Sequence, residues 1–439
     1  MWTIFINDIN NKKGEPEPAN KFIYLLIIGG GEHSNNKEFI MKKSVKDIDI
    51  KGKKVIMRVD FNVPLDKETN SKITDTTRVD AAMPTIEYIL SQGACLILMS
   101  HLGRPKGEAN PKYSLKPVYD YLKTKLPNNK VSFANDCIGE EVKKQAAELK
   151  AGDVLLLENL RYHAEEEKND AAFSKELADL ADVYVNDAFG TAHRAHASTA
   201  GIVSAKAGMP AAAGFLMEKE IQYLGDAVAN PARPFVAIIG GAKVSSKISV
   251  LKNLLNKVDT LIVVGGMAYT FLKAQGLEIG ASLCEDDYIA TAKEIMDKAK
   301  ELNKTLYLPV DNVIADKFDN DANIQTVDSN AIPAGWMGMD VGPKTLKELE
   351  DILKNAKTVV WNGPLGVFEM ANFAKGTFEV AKFIANSGAV SIIGGGDSVS
   401  AVNKSGVADK MTHVSTGGGA SLEFLEGMEL PGIAVLQDK

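Results

Sequence analysis

Residues 390–398 have the sequence Val-Ser-Ile-Ile-Gly-Gly-Gly-Asp-Ser, and they show the pattern on which the second half of the chain is built. An apolar run typical of a buried strand leads directly into glycines, a carboxylate and a helix-compatible segment. Glycine lets backbone N–H groups approach a ligand that any Cβ would hold away, and a helix N-terminus favours phosphate. A carboxylate among phosphates needs a cation, so Asp397 is a candidate Mg²⁺ ligand.

Glycine turns follow the other strand-like runs of the second half in the same way. The runs 235–239, 261–264, 359–361 and 413–415 precede glycine-containing turns at 240–247, 265–267, 362–369 and 416–419. None of these turns fits the Walker A or G-x-G-x-x-G pattern, so neither the P-loop nor the dinucleotide-binding fold is favoured. The pattern instead predicts a nucleotide held by backbone groups, with Lys243 and Lys247 adding charge at its phosphates.

Arginine takes the place of glycine in the first half. The strand-like runs are 54–59, 95–99, 154–157 and 183–185. Arginines lie at or near their ends, at positions 58, 104, 161 and 194, and Arg78 precedes the first helix. Because guanidinium binds carboxylate and phosphate in a bidentate manner, this clustering predicts a small polyanionic substrate. The histidines show no metal-binding pattern, since His193 and His196 lack a third ligand nearby. Anion contact or structural hydrogen bonding is expected of them.

Alternation of apolar strands with helical stretches such as 81–90 and 173–180 predicts an α/β protein with two Rossmann-like parallel-sheet domains, joined by an interdomain helix and hinge. We expect a first domain at 41–216, the interdomain helix at 217–232 and a second domain at 233–419. The tail at 420–439 is expected to pack back toward the first domain.

Residues 1–40 differ from the rest of the chain, being rich in Asn and lacking a sustained period. Lys37 and Glu38 imply a purine-rich codon run shortly before Met41, as at a bacterial ribosome-binding site. We expect translation to begin at Met41; the alternative is a genuine but disordered extension.

Composition narrows the class of protein. The net charge of −7 argues against a nucleic-acid partner, and three cysteines without C-x-x-C spacing argue against a disulfide framework. No apolar run reaches the length of a membrane span. We therefore expect a cytoplasmic protein without membrane contact. We also expect it to be a monomer.

Several motifs resemble those of phosphoglycerate kinases, in that family's order from Met41 onward. They are Val-Asp-Phe-Asn-Val-Pro-Leu at 59–65, Ser-His-Leu-Gly-Arg-Pro at 100–105, Asn-Asp-Ala-Phe-Gly-Thr-Ala-His-Arg-Ala-His at 186–196, Gly-Gly-Ala-Lys-Val at 240–244, Gly-Trp-Met-Gly at 335–338, Trp-Asn-Gly-Pro at 361–364, Gly-Gly-Gly-Asp at 394–397 and Ser-Thr-Gly-Gly-Gly at 415–419. One departure is Val264-Gly265-Gly266, where the family has three glycines.

The resemblance implies reversible, Mg²⁺-dependent transfer of a phosphoryl group from 1,3-bisphosphoglycerate to ADP, giving 3-phosphoglycerate and ATP in glycolysis. It implies that phosphoglycerate is held by Asp60, Phe61, Asn62, Arg78, His101, Leu102, Gly103, Arg104, Arg161 and Arg194. It implies nucleotide contacts from Lys243, Lys247, Gly338, Glu369, Gly395, Gly396, Asp397 and Ser398, with Asp397 on the metal.

The residues themselves suggest the same chemistry, because one half presents arginines and the other presents backbone amides. Phosphoryl transfer between them needs positioning and charge stabilisation rather than a nucleophile. Arg78, Lys247 and the N–H groups of Gly396 and Gly419 would then neutralise the transferring group.

Two other functions remain possible from the residues alone. A dinucleotide-dependent oxidoreductase would lack its usual fingerprint here, and a non-enzymatic nucleotide-binding protein would use both halves only to clamp its ligand. Production of ATP from an acyl phosphate and ADP separates all three.

Overall fold

The computed structural model describes residues 41–439, so the expectation for residues 1–40 lies outside it. Two six-stranded sheets, each parallel throughout, form the centres of two α/β halves. The predicted fold class, two parallel sheets with covering helices, is confirmed.

The first sheet has the spatial order β3-β4-β2-β1-β5-β6. Its strands are β1 (Lys54–Arg58), β2 (Cys95–Met99), β3 (Val131–Phe133), β4 (Val154–Leu156), β5 (Val183–Asn186) and β6 (Ala211–Ala213). Its helices are α1 (Thr77–Ser91), α2 (Lys116–Lys125), α3 (Glu140–Ala147), α4 (Ala164–Glu167), α5 (Ala171–Asp179) and α6 (Ile202–Ser204). Strands β2 and β5 are buried along their whole length because helices cover both faces of the sheet.

The second sheet has the spatial order β15-β14-β13-β7-β8-β9. Its strands are β7 (Phe235–Ile239), β8 (Thr260–Val263), β9 (Thr305–Tyr307), β13 (Thr358–Asn362), β14 (Val390–Gly394) and β15 (His413–Val414). The helices of this half are α8 (Ile248–Leu255), α9 (Met267–Ala274), α10 (Ile289–Glu301), α11 (Pro343–Leu353), α12 (Lys375–Ser387), α13 (Gly396–Lys404) and α14 (Gly419–Leu425).

A small antiparallel sheet in the second half was not predicted. It consists of β10 (Asp311–Ala315), β11 (Ile324–Asp328) and β12 (Met337–Val341), in the order β11-β10-β12. Four of the five residues of β11 are exposed, so the strand has no apolar run that a sequence pattern could reveal. Strands β3, β6 and β9 were also missed. Each has only three residues, as β4 does, but none consists entirely of large apolar residues in the way that β4 does.

Helix α7 (Phe215–Ala229) follows the first sheet in the chain and precedes the second, and it overlaps the connector helix predicted at 217–232. Its residues Met217, Ile221 and Leu224 belong to a buried apolar cluster that contains residues of both sheets. The helix therefore packs on both halves rather than spanning open solvent.

The C-terminal segment returns to the first half. Gln437 N–H donates to the Ala211 carbonyl of β6 at 3.0 Å, and Lys43 N–H donates to the Gln437 carbonyl at 2.8 Å. The short helix α15 (Pro431–Ala434) lies beside β5, where the Asn186 amide donates to the Gly432 carbonyl at 2.9 Å. None of the helices within residues 41–439 combines the length and apolar character needed to cross a membrane.

Candidate active site

The loops after β1 and β2 are joined by side chain-to-backbone hydrogen bonds at the carboxyl edge of the first sheet. The Asn62 carboxamide oxygen accepts from Gly103 N–H at 2.9 Å, and the Ser100 hydroxyl accepts from Phe61 N–H at 2.8 Å. Ligands of parallel sheets bind beyond this edge. The structure thus brings Asn62 and Gly103 together, although they lie 41 positions apart.

Arg78 and Asp60 form an ion pair at the same edge. The Arg78 guanidinium donates to Asp60 Oδ2 at 2.5 Å, and the Asp60 side chain is 13% exposed whereas that of Arg78 is 40% exposed. Arg78 lies in the first turn of α1, so the backbone of a regular helix positions it. The carboxylate holds one edge of the guanidinium and leaves its remaining donors available to an anion.

His101 lies beneath this surface and is 4% exposed. Its Nδ1 is 3.1 Å from the guanidinium of Arg58, which is itself fully buried and hydrogen-bonded to Ser198 Oγ at 2.9 Å. Burial, followed by the charges of Arg58 and Arg161, lowers the pKa of His101 well below its usual value. His101 is therefore neutral at pH 7, and Arg58 supports the site from below.

The other arginines differ in how firmly they are held. Arg161 donates to the Gly103 carbonyl at 3.0 Å and lies 3.2 Å from a carboxylate oxygen of Glu167. Arg104 and Arg194 are exposed, and among residues 41–439 their side chains have no hydrogen-bond or ion-pair partner. Both guanidinium groups are free to contact an anion.

Two of the predicted substrate residues turn their side chains into the core. Phe61 is 0% and Leu102 is 3% exposed, and both belong to the apolar cluster on one face of the first sheet. Their backbones lie in the loops after β1 and β2, but their side chains pack in the apolar core.

Glycine turns of the second half enclose a cavity of about 430 Å³. Five of the predicted nucleotide residues line this cavity. Gly395, Gly396 and Asp397 lie at or just before the start of α13, and Lys243 and Lys247 follow β7. The lining residues are Gly240, Gly241, Ala242, Lys243, Ser246, Lys247, Asn362, Gly363, Pro364, Gly395, Gly396, Asp397, Gly418, Gly419 and Leu422. The cavity thus collects residues from positions 240 to 422.

Close backbone contact explains two of these glycines. A Cβ on Gly240 would collide with the carbonyl oxygens of Pro364 and Gly363, and a Cβ on Gly363 would collide with the backbone of Gly240. Gly363 also has a φ of +97°, which favours glycine. The two turns therefore pack backbone against backbone at the edge of the cavity.

Lys247 projects into the cavity and donates to Asn362 Oδ1 at 2.5 Å. Burial lowers its pKa, while Glu426 and Asp397 oppose that effect. The buried Nδ2 of Asn362 has no partner among the described residues, and it lies near Gly395. A bound anion would satisfy both this amide and the Lys247 ammonium.

The remaining predicted nucleotide residues lie elsewhere. Ser398 is buried, and its hydroxyl accepts from Gly363 N–H at 2.6 Å, so it orients the neighbouring turn. Gly338 lies in β12 and packs so tightly against the Tyr269 hydroxyl that a Cβ would collide with it. Glu369 is exposed. Neither Gly338 nor Glu369 lines the cavity.

The two half-sites meet at the loop formed by residues 416–419. A Cβ on Gly190 would lie 3.4 Å from the Thr416 carbonyl, and a Cβ on Gly419 would lie 3.7 Å from His193 Nε2. A small cavity beside this loop is lined by Asp60 and Arg78 together with Thr416. The loop of the second half thus borders the arginine-rich surface of the first.

Glu220 of α7 holds this loop, a role that no sequence motif indicated. Its buried carboxylate accepts four hydrogen bonds, from His413 Nε2 at 2.7 Å, Ser415 Oγ at 2.8 Å, Thr416 N–H at 2.7 Å and Thr416 Oγ1 at 2.8 Å. The His413 ring stacks on Tyr223 of the same helix at 4.9 Å. The helix between the two sheets is therefore bonded directly to the active-site loop.

Comparison with known proteins places this geometry in a family. The family model described as Phosphoglycerate kinase matches residues 45–428. The chain belongs to the phosphoglycerate kinase family. Phosphoglycerate kinases from Clostridium botulinum and Clostridium novyi are each 60% identical over 400 residues, which cover 91% of this chain and 99% of theirs.

Solved structures agree with the family assignment. Phosphoglycerate kinase from Coxiella burnetii matches with a TM-score of 0.82 at 42% identity, covering 90% of this chain and 98% of that one. The Pyrococcus horikoshii enzyme matches with a TM-score of 0.75 at 33% identity, with the same coverage. The chain is thus a phosphotransferase that uses ATP and ADP, and glycolytic phosphoryl transfer is the function of its family.

Proposed function

We propose that the two surfaces divide the reaction of the family between them. Phosphoglycerate binds the first-half surface through Asp60, Asn62, Arg78, His101, Arg104, Arg161 and Arg194, with the backbones of Phe61, Leu102 and Gly103 beside them. The nucleotide phosphates bind the second-half cavity through Lys243, Lys247, Gly395 and Gly396. Gly338, Glu369 and Ser398 belong to the nucleotide side, Ser398 through the turn that it orients.

The observation that carries this proposal is the shared border at residues 416–419. During transfer, residues of both halves must contact the phosphoryl group, and the reacting atoms of the two substrates must lie about 3–3.5 Å apart. Gly419 faces His193 of the first half and also lines the second-half cavity. The transferring phosphoryl group passes beside this loop.

Arg78, Lys247 and the backbone N–H groups of Gly396 and Gly419 stabilise the charge on the phosphoryl group during its transfer. Oriented donors in a dehydrated site stabilise such charge far better than water does. Asp60 orients Arg78, and Asn362 orients Lys247, so neither cation needs to reorganise during transfer.

Mg²⁺ fits the second-half cavity. Asp397 lies in the first turn of α13 and lines the cavity, and its exposed carboxylate has no hydrogen-bond or ion-pair partner among residues 41–439. A single carboxylate together with nucleotide phosphates is a common way of holding Mg²⁺. When bound, the cation neutralises phosphate charge; the residues named above position the reactants.

The same proposal extends to the organisation of the chain. The first domain spans 41–216, the connecting segment 217–232 and the second domain 233–419. In the tail at 420–439, α14 packs on α8 of the second domain and the residues after it return to the first domain. The enzyme works as a cytoplasmic monomer.

Reaction requires the two halves to close, because open halves would admit water to the acyl phosphate. Helix α7 is the hinge of this closure, because Glu220 connects it to the active-site loop.

Small-angle scattering tests this account together with a coupled assay of ATP formation. The assay should show ATP formed from 1,3-bisphosphoglycerate and ADP only with Mg²⁺. The radius of gyration should decrease most when 3-phosphoglycerate and a nucleotide are both present, because only then is the closed state favoured from both sides. An unchanged radius with both ligands at saturation would refute the hinge but not the assignment of residues.

A further inference from the structure

Three side chains of metal-binding type converge just before α4, and none of them is among the residues assigned to the cavity or to the arginine surface. They are Asp136, which follows β3, its neighbour Cys137, and His163, which precedes α4. One ligand atom from each lies within 4.8 Å of the other two, and no other such group occurs among residues 41–439. Asp136 and His163 are 27 positions apart, so no short metal-binding motif in the sequence indicates this group.

Neighbouring contacts hold the three groups in place. Asp136 Oδ1 lies 2.7 Å from His163 Nε2 and accepts from Cys137 N–H at 2.6 Å. The His163 ring packs on Phe173 at 5.4 Å between centroids, and Glu158 N–H donates to the Asp136 carbonyl at 3.4 Å. Such outer contacts orient ligands before a metal arrives.

We propose that Asp136, Cys137 and His163 form a binding site for a thiolate-seeking divalent cation of the zinc class. Thiolate, imidazole and carboxylate are the usual zinc ligands, and three of them with a water molecule complete a tetrahedral site. The set selects against Mg²⁺, which prefers oxygen ligands. The site is thus distinct from the Mg²⁺ role proposed for Asp397.

Charge and protons balance on binding. A cation between the three groups replaces the proton now held between His163 and Asp136, which moves to the other ring nitrogen, and it displaces the thiol proton to solvent. The thiolate and the carboxylate then neutralise the divalent charge. Since one proton is released and burial raises the pKa of the Cys137 thiol, binding becomes tighter as the pH rises.

An ion can enter this site from solvent. The Asp136 side chain is 52% exposed and that of His163 is 26% exposed, whereas Cys137 is fully buried and forms the floor. The site thus combines one buried soft ligand with two partly exposed ligands, one hard and one borderline.

Equilibrium dialysis against Zn²⁺, on the full chain without a histidine tag, with excess Mg²⁺ and without nucleotide, tests the proposal. We expect about one Zn²⁺ per chain, and with Co²⁺ a sulfur-to-cobalt charge-transfer band that Zn²⁺ removes. Cys137→Ser should abolish the band, and His163→Gln should weaken Zn²⁺ binding at least tenfold. Cys95→Ser and Cys284→Ser are the matched controls and should retain the band.

Thermal unfolding gives an independent reading, because a ligand that binds only the folded state raises the melting temperature. Zn²⁺ should raise the melting temperature of the wild type and of Cys95→Ser, but it should leave the melting temperature of His163→Gln unchanged. Should Cys137→Ser fail to fold, His163→Gln decides alone, since its side chain is partly exposed. Equal Zn²⁺ binding by wild type and His163→Gln, or no cobalt–sulfur band in the wild type, would overturn the proposal.

Discussion

Replacing Glu220 with Gln should weaken both the fold and catalysis, because this carboxylate bonds α7 to the active-site loop. One of its oxygens accepts from the backbone and hydroxyl of Thr416, and the other accepts from His413 and Ser415. The Thr416 N–H cannot turn away, so the Gln oxygen must remain on that side. Its NH₂ then faces His413 and Ser415, which can both become acceptors by a change of tautomer and a rotation.

The Gln variant keeps an acceptor for the Thr416 N–H, moves the His413 proton to Nδ1, and loses the charge assistance of the four hydrogen bonds. Hydrogen bonds to charged groups contribute about 1.5–3 kcal/mol, against about 1 kcal/mol for neutral ones. Because the neutral amide retains part of each bond, we expect the free energy of unfolding to fall by about 1–3 kcal/mol. Urea denaturation at pH 7 measures this, with Glu218→Gln on the same helix as the control.

Catalysis should suffer through the position of Gly419 rather than through binding. A displaced loop misplaces one oriented donor, whose complete loss costs about 10²–10³ in kcat. Glu220→Gln should therefore lower kcat by up to about 10²-fold with smaller changes in both KM values, as the coupled assay would report. If the unfolding free energy and kcat both match those of Glu218→Gln, the hydrogen bonds between α7 and the loop contribute neither to stability nor to catalysis.

Three further changes test individual groups. Arg78→Lys keeps the charge but loses the planar donors, so kcat should fall by more than about 10²-fold with little change in KM; a raised KM for phosphoglycerate with kcat preserved would make it a ground-state contact. Asp397→Ala should abolish most Mg²⁺-dependent turnover while leaving the melting temperature and phosphoglycerate binding unchanged, and near-normal turnover at ordinary Mg²⁺ would remove its metal role. Burial raises the pKa of Asp187 from 3.8 to about 7, so its contribution to stability is complete below pH 3.8 and is lost as the pH rises through 7. Asp187→Asn should thus flatten the pH dependence of the unfolding free energy by up to about 4 kcal/mol between these limits; an equally steep profile in the variant would contradict this.

Much of the fold was predictable because its elements are local patterns. The apolar run 95–99 became β2 with the predicted bounds, and the connector helix was predicted within three residues at each end. Strands without such a run were missed: β11 is exposed, and β6 consists of three alanines. Pairing with neighbours makes these segments strands, and pairing partners are distant in sequence.

The sequence by itself determined the residue types at the carboxyl ends of the strands, arginine in one half and glycine in the other. Those types indicate the chemistry, because guanidinium and bare backbone amides both recognise anions. Only the tertiary structure decided which of them act together. Arg58 and Arg104 look alike in sequence, but one is buried under His101 and the other is exposed to solvent. Glu220 has no motif, yet it binds the loop at 416–419 from 196 positions away, because packing of α7 on both halves brings it there. Hydrogen bonds depend on distances of a few ångströms, and the packing of the folded chain sets those distances.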